Sequence, residues 1–249
     1  MTEKHPQKGT AMKKTIAWIL MLALLAGCPA ATALEGPTKY ESNVETVLFG
    51  HYEQDNNPDN GPEPIRWIVL EERDGKRLLF AKDLLDQHRY NTKYGLITWE
   101  DCELRTWLNH DFLDTAFTEA EQAAILLTDV DNSHAQDDPS FRTTSGNDTQ
   151  DKIFLISYAE AKRYFPDNES RRSAPTDYAI AKGVKIERAY EIDGRPCGMW
   201  WTRSAGNAQW RVSFSYFWGK LNYTYATKPV VGVRPMLWAD TALMDEAAE

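Results

Sequence analysis

Thr98-Trp99-Glu100-Asp101-Cys102-Glu103-Leu104-Arg105-Thr106-Trp107-Leu108-Asn109-His110-Asp111-Phe112 is the stretch on which the fold class turns. Thr98 followed three residues later by Asp101 has the form of a capping box, in which a hydroxyl and a carboxylate satisfy two orphan amides at a helix start. Beyond it, Leu104, Trp107, Leu108 and Phe112 recur at roughly the 3.6-residue period of a helix and form a core-facing stripe. Two further boxes, Thr118 with Glu121 and Ser157 with Glu160, mark later helix starts, and the second of these three helices carries Ala123, Ala124 and Leu127. Two to four helices are therefore expected in the middle of the chain.

Strands flank that middle on both sides. Val44 to Tyr52 and Pro64 to Glu71 are rich in β-branched and aromatic residues, and Asn56-Asn57-Pro58-Asp59-Asn60-Gly61-Pro62 separates them as a turn. Asp74-Gly75 is a two-residue hairpin signal that leads into Arg77 to Ala81. Downstream, Trp200 to Ser204, Trp210 to Phe214 and Val230 to Leu237 read as strands. Strands, then helices, then strands predict an α+β fold built on antiparallel sheets.

The N-terminus has a different logic. Lys13 and Lys14 precede an uncharged run from Ile16 to Ala26, and Leu25-Ala26-Gly27-Cys28 closes it. Basic, apolar and small segments in that order are a bacterial lipoprotein export signal, with Cys28 as the lipidated residue. The apolar run is shorter than the roughly 20 residues that a membrane span needs, so acyl chains on Cys28 are expected to supply the membrane anchor. Ordinary secretion, with cleavage after Ala31-Thr32-Ala33, is the alternative. The expected division is signal 1–27, flexible tether 28–43, one globular domain 44–240 and a tail 241–249, which places the domain outside the cytoplasm.

Charge narrows the partners. The chain carries −9 overall, and removal of residues 1–27, with Lys4, Lys8, Lys13, Lys14 and Glu3, leaves −12. That balance argues against nucleic acid and against a basic membrane-binding face. Once Cys28 is lipidated, Cys102 and Cys197 remain as an even pair, either bridged or separately buried, since spacing alone does not show proximity. His5, His51, His88, His110 and His134 are scattered, with no zinc-ligand spacing. The 129–151 loop holds Asp129, Asp131, Asn132, Asp137, Asp138, Asn147, Asp148 and Asp151, oxygens that calcium would accept. It lacks the alternation and closing Glu of an EF-hand, so a solvated loop without cofactor is the expectation.

Several of these segments together resemble a known family. Val47-Leu48-Phe49-Gly50, Ile65 to Leu70, Thr98-Trp99-Glu100, Leu104-Arg105 with Trp107-Leu108-Asn109, Asp151 to Ser157, Trp200 to Ser204 and Gly232-Val233-Arg234-Pro235 are similar to the bacterial domain of unknown function 6273, found in secreted and surface proteins. The arrangement from Trp200 onward is also remotely similar to the C-type lectin fold of sulfatase-modifying proteins. That likeness implies a compact α+β domain whose first and last strands pair, with the Trp200 to Lys228 region facing a ligand. It transfers no activity: the calcium-binding tripeptides of sugar-binding lectins are missing from the sequence, and Cys102 and Cys197 sit in no matching copper-binding motif.

The functional expectation is a non-catalytic binding module for a glycan or surface protein. Its candidate residues are Asn207, Gln209, Trp210, Tyr216, Phe217, Trp218, Asn222, Tyr223 and Tyr225, rings for stacking interleaved with amides for hydrogen bonding. Period-two alternation sets Val212, Phe214 and Tyr216 on one face and Ser213, Ser215 and Phe217 on the other, so one set fills the core. The rival is an extracytoplasmic enzyme, either of the formylglycine-generating fold or a glycan hydrolase. Glu100, Asp101 and Glu103 are its candidate carboxylates, though helix capping accounts for them as well. Arg203 and Arg234, in framework strands, read as structural ion-pair partners.

Overall fold

A computed structural model of the protein describes residues 44–247. The expected export signal, Cys28 and the tether lie outside the described residues. The chain folds as α+β, mostly sheet with short helices. Strand β1 (Thr46–Tyr52) pairs antiparallel with β2 (Glu63–Arg73), and β2 turns through Asp74-Gly75 into β3 (Lys76–Ala81). A two-residue strand, β4 (Asp86–Gln87), follows.

The helical middle differs from its expected start. Thr98 and Asp101 do bond, Oγ1 to Oδ2 at 3.2 Å, but they close a turn. Helix α1 (Glu103–Trp107) begins later and is capped by the Cys102 thiol, which accepts from the Arg105 amide at 3.4 Å. It runs into a π-helical turn, Leu108–Phe112, and then α2 (Leu113–Ala116). The wider turn aims the Asn109 amide at the chain opposite: its Oδ1 accepts from the Lys152 and Ile153 amides at 2.9 and 3.1 Å, and its Nδ2 donates to the Ile153 carbonyl at 2.8 Å. The other two boxes form as expected, Thr118 with Glu121 at α3 (Glu119–Ala124) and Ser157 with Glu160 at α4 (Tyr158–Tyr164). Between α3 and α4 lie β5 (Thr128–Val130), β6 (Thr149–Asp151) and β7 (Phe154–Leu155).

After α4 come α5 (Asp177–Lys182), capped by Thr176, and the ribbon β8 (Ile186–Ile192) with β9 (Arg195–Gly198). Then follow β10 (Trp200–Ala205), β11 (Arg211–Ser215), β12 (Leu221–Tyr225), β13 (Gly232–Val233), β14 (Pro235–Asp240) and helix α6 (Thr241–Ala247). Residues 241–247 are thus not a tail: Asp240 Oδ1 accepts from the Ala242 amide at 3.0 Å, and Met244 is buried. Helices extend well beyond the middle of the chain.

Two five-stranded sheets organise these elements, in the orders β1-β2-β3-β14-β7 and β12-β11-β10-β13-β4. The segment expected as one strand from Val230 to Leu237 is two, in different sheets, and the chain crosses between them at Arg234. The first and last strands share a sheet but do not pair, because β2 and β3 intervene, with Leu79 of β3 opposite Leu237. That corrects the pairing implied by the lectin-like resemblance.

Tryptophans fill much of the core. Trp67, Trp99, Trp200 and Trp201 are fully buried, and each indole N–H donates: to the Phe49 carbonyl (2.7 Å), Asp151 Oδ2 (3.0 Å), the Arg171 carbonyl (3.0 Å) and the His88 carbonyl (2.9 Å). Satisfying that one polar atom lets a large ring fill a core. Each ring then contributes roughly 1.5–3 kcal/mol of burial, as large apolar side chains do. Both cysteines are buried free thiols, so the candidate bridge is not formed. Cys102 is committed to its helix cap and Cys197 to the β8–β9 ribbon, and burial pushes their thiols up to about 12 and about 11.

Candidate functional site

The C-terminal hairpin, β11 and β12, contains the expected aromatic run, but its rings part company. Val212 and Phe214 are buried on one face of β11, and Ser213 and Ser215 are buried on the other, because β11 lies inside its sheet and both faces are covered. Strand β12 is the edge. Tyr216 N donates to Lys220 O at 2.9 Å and Ala226 N to Trp210 O at 3.3 Å, so Asn222 and Thr224 fall in hydrogen-bonded pairs with β11. Leu221, Tyr223 and Tyr225 turn their backbone groups outward, and Asn222 Oδ1 takes the Tyr223 amide at 2.8 Å.

A cleft of about 420 Å³ opens beneath β12. Met199, Phe214, Phe217, Val230 and Val231 give it apolar surface, Tyr216, Asn222, Tyr223 and Thr224 give it neutral polar groups, and Lys185 and Lys228 bring charge. Phe217 is only 3% exposed, so this ring serves as floor. A second cleft, about 210 Å³, lies beside the same strand, between Asp138, Phe141, Tyr158, Ser213, Lys220 and Leu221, and Asn222 and Tyr223 line both. The buried Ser213 hydroxyl has no hydrogen-bond partner among the described residues. Burial, and then a hydrogen bond to Asp138, raise the Tyr158 hydroxyl above its ordinary range.

Of the nine expected ligand residues, Tyr216, Phe217, Asn222 and Tyr223 meet at the larger cleft. Trp218 is half-buried and packs on Tyr216 and Tyr190, with ring centroids 4.2 and 5.5 Å away. Trp210 (37% exposed) and Tyr225 (45%) form a separate surface patch with Tyr94 (67%), at centroid distances of 6.4 and 6.1 Å from it. Gln209 is a clamp between loops: its Nε2 donates to the Ile97 and Thr144 carbonyls at 2.9 and 2.7 Å, and its Oε1 accepts from the Thr144 amide at 3.2 Å. Asn207 is exposed and accepts from Arg211 at 3.3 Å. Sequence reading missed Lys185, Lys228, Thr224 and Tyr94. Only Thr224 and Lys228 stand near enough to the hairpin in sequence for inspection to have found them.

Carboxylates elsewhere are engaged within the fold. Glu100 Oε2 accepts from Asn147 Nδ2 at 2.9 Å, Asp101 from Thr98, and Glu103 from the Thr92 amide and hydroxyl at 2.8 and 2.7 Å. In the 129–151 loop, Asp131 accepts from the Ser133 amide and Gln136, Asp148 from the Asn132 amide, Asp137 from Ser145, and Asp151 from Trp99, Thr149 and Arg105. Glu53 and Asp55 on the β1–β2 loop cluster with Glu63 at the start of β2, and all three accept from the loop's amides. Arg203 is buried and bidentate on Glu160, as expected of an ion pair. Arg234 donates to the Ala81 carbonyl at 2.8 Å and lies 4.1, 5.3 and 5.7 Å from the ring centroids of Phe80, Trp200 and Phe165, where it pins the sheet crossing.

No curated protein and no solved structure matches the chain. The family model described as "Domain of unknown function (DUF6273)" matches residues 74–241. Its span opens at the β2–β3 turn, although β1 and β2, which precede it, belong to the same sheet as β3. With more than half of its length matched, including the hairpin and both clefts, the chain belongs to the DUF6273 family.

Proposed function

We propose that the protein is an extracytoplasmic lipoprotein, tethered through Cys28, whose domain is a non-catalytic binding module for a glycan or a protein ligand. The observation that carries the binding reading is the 420 Å³ cleft under β12, within the roughly 300–1,000 Å³ typical of ligand sites. Apolar floor, tyrosines and amide and hydroxyl groups in one concavity suit a ring-shaped polar ligand. A lectin-like ancestry is part of this proposal, supported by the second sheet carrying the cleft-bearing hairpin. The edge position of β12 supports a protein ligand as the second reading, since the outward backbone groups of Leu221 and the outward Tyr223 carbonyl offer a place for an added strand. Among the described residues no helix is long and apolar enough to cross a membrane, so attachment in this proposal depends on lipid. Metabolic labelling with a palmitate analogue is expected to mark the native chain and not Cys28→Ser; equal labelling of both would remove the anchor from the proposal.

A glycan and peptidoglycan array tests the site. Tyr223→Ala is expected to weaken any bound ligand about tenfold, the roughly 1.4 kcal/mol that one aromatic contact contributes. Trp210→Ala, at the separate patch, leaves affinity unchanged. The reverse ranking would move the site from the cleft to the Tyr94, Trp210 and Tyr225 surface.

A further inference from the structure

Building on the binding-module reading, we infer that the larger cleft takes an acidic saccharide, with the anionic group of the ligand between Lys185 and Lys228. Among the described residues these two lysines are the only charged ones that line it, and no carboxylate does. Several cations elsewhere are paired. Lys82 meets Asp193 at 2.9 Å, Arg77 meets Glu72 at 2.8 Å, Arg163 meets Glu71 at 2.7 Å and Arg195 meets Asp83 at 2.6 Å. Neither Lys185 nor Lys228 has an ion pair among the described residues, so neither charge is neutralised by a carboxylate of the fold.

Backbone structure brings the two together from distant sequence. Lys185 N donates to Val230 O at 3.1 Å, which ties the segment entering β8 to the turn just beyond Lys228 that leads into β13. The Lys185 ammonium is 5.9 Å from the centroid of the Phe217 ring that floors the cleft. A cation over that ring is stabilised by its face yet keeps donors free for an anion. Tyr216 supplies a face for a sugar ring, and Asn222 and Thr224 supply partners for its hydroxyls. Positive potential inside an acidic domain also selects against neutral glycans, which gain nothing from the lysines.

The test uses the full chain and a panel of uronic-acid and sialic-acid oligosaccharides, each beside its methyl-esterified counterpart, which has the same shape without the charge. At least one acid is expected to bind about tenfold more tightly than its ester, a combined effect of two partly exposed charge pairs. Raising the salt concentration is expected to close that gap, and the double variant Lys185→Gln/Lys228→Gln to abolish it. Acid and ester bound equally would overturn the acidic inference and leave the binding module standing. A preference that survives the double variant also overturns it, because the anion then sits elsewhere. If no acid on the panel binds, the inference falls; the binding-module reading falls with it only if the broader array of neutral glycans is blank as well and protein ligands also fail to bind.

Discussion

Arg203→Met is expected to cost about 3–5 kcal/mol of stability, the range for removing one partner from a buried ion pair. Every donor of this guanidinium is in use. Nε reaches Asn132 Oδ1 at 3.2 Å, Nη1 reaches the Leu155 carbonyl and Glu160 Oε2 at 2.8 and 2.5 Å, and Nη2 reaches the Asp131 carbonyl and Glu160 Oε1 at 3.0 and 3.0 Å. One side chain thus joins β10, β7, α4 and the loop after β5. Methionine keeps the length but leaves two carbonyls, an amide oxygen and a carboxylate without their donor. Domains of this kind hold only about 5–15 kcal/mol in total, so the variant is expected to sit close to unfolding. Arg203→Lys recovers little, since one ammonium cannot reproduce a planar five-donor fork. Urea denaturation followed by tryptophan fluorescence measures the loss. A change under about 1 kcal/mol, the size of an exposed pair, would show that water screens the contact.

The same pair sets a pH dependence. Burial alone would raise the Glu160 carboxyl, but the Arg203 guanidinium and the Ser157 amide outweigh it and hold the group below its ordinary 4.5. A carboxylate depressed in the folded state gives stability that is present above pH 4.5 and lost as pH falls through the folded value. The gap between wild type and Arg203→Met is therefore expected to be widest near neutrality and to narrow on acidification below that point.

Local rules read well in the sequence wherever one segment carries the whole signal. Asp74-Gly75, Thr118 with Glu121, and Ser157 with Glu160 each formed the turn or cap expected of them. The box at Thr98 misled because a second capping group stands close by. The Cys102 thiol, four residues on, caps α1, and the Thr98–Asp101 bond closes only a turn. The run Val230 to Leu237 misled because apolar alternation does not say which sheet a residue joins, and the switch at Arg234 depends on Phe80, Trp200 and Phe165 waiting for its guanidinium. For the candidate site the limit was sharper. Rings of the hairpin were visible as a set, but which of them line a cavity depends on what covers β11. Lys185 lies 31 residues before Tyr216 in the chain, and it reaches the cleft only through a backbone bond to Val230.

Gly219→Ala is expected to be the other severe change, about 3 kcal/mol, and it probes how the cleft is held in place. Gly219 closes the β11–β12 turn with φ +83°, a conformation that costs an L-residue about 1–2 kcal/mol. The larger difficulty is space: a Cβ there would stand 1.6 Å from the Asn168 carbonyl oxygen and 2.7 Å from its carbon. Backbone cannot step aside as a flexible side chain does, so the turn must lift off the 165–171 segment at a further cost of roughly 1–3 kcal/mol. Lifting it also strains the bond from Arg171 Nε to the Gly219 carbonyl, 2.8 Å long. Gly75→Ala separates the two contributions, since Gly75 has φ +69° but nothing within 4 Å of its added Cβ. Only the conformational cost, about 1–2 kcal/mol, is expected there. Because Tyr216 and Phe217 lead directly into the Gly219 turn and line the cleft, ligand affinity falls with Gly219→Ala and holds with Gly75→Ala. Equal stability losses in the two variants would mean that the turn is shaped by its own backbone alone, and then the walls of the cleft would owe nothing to Asn168.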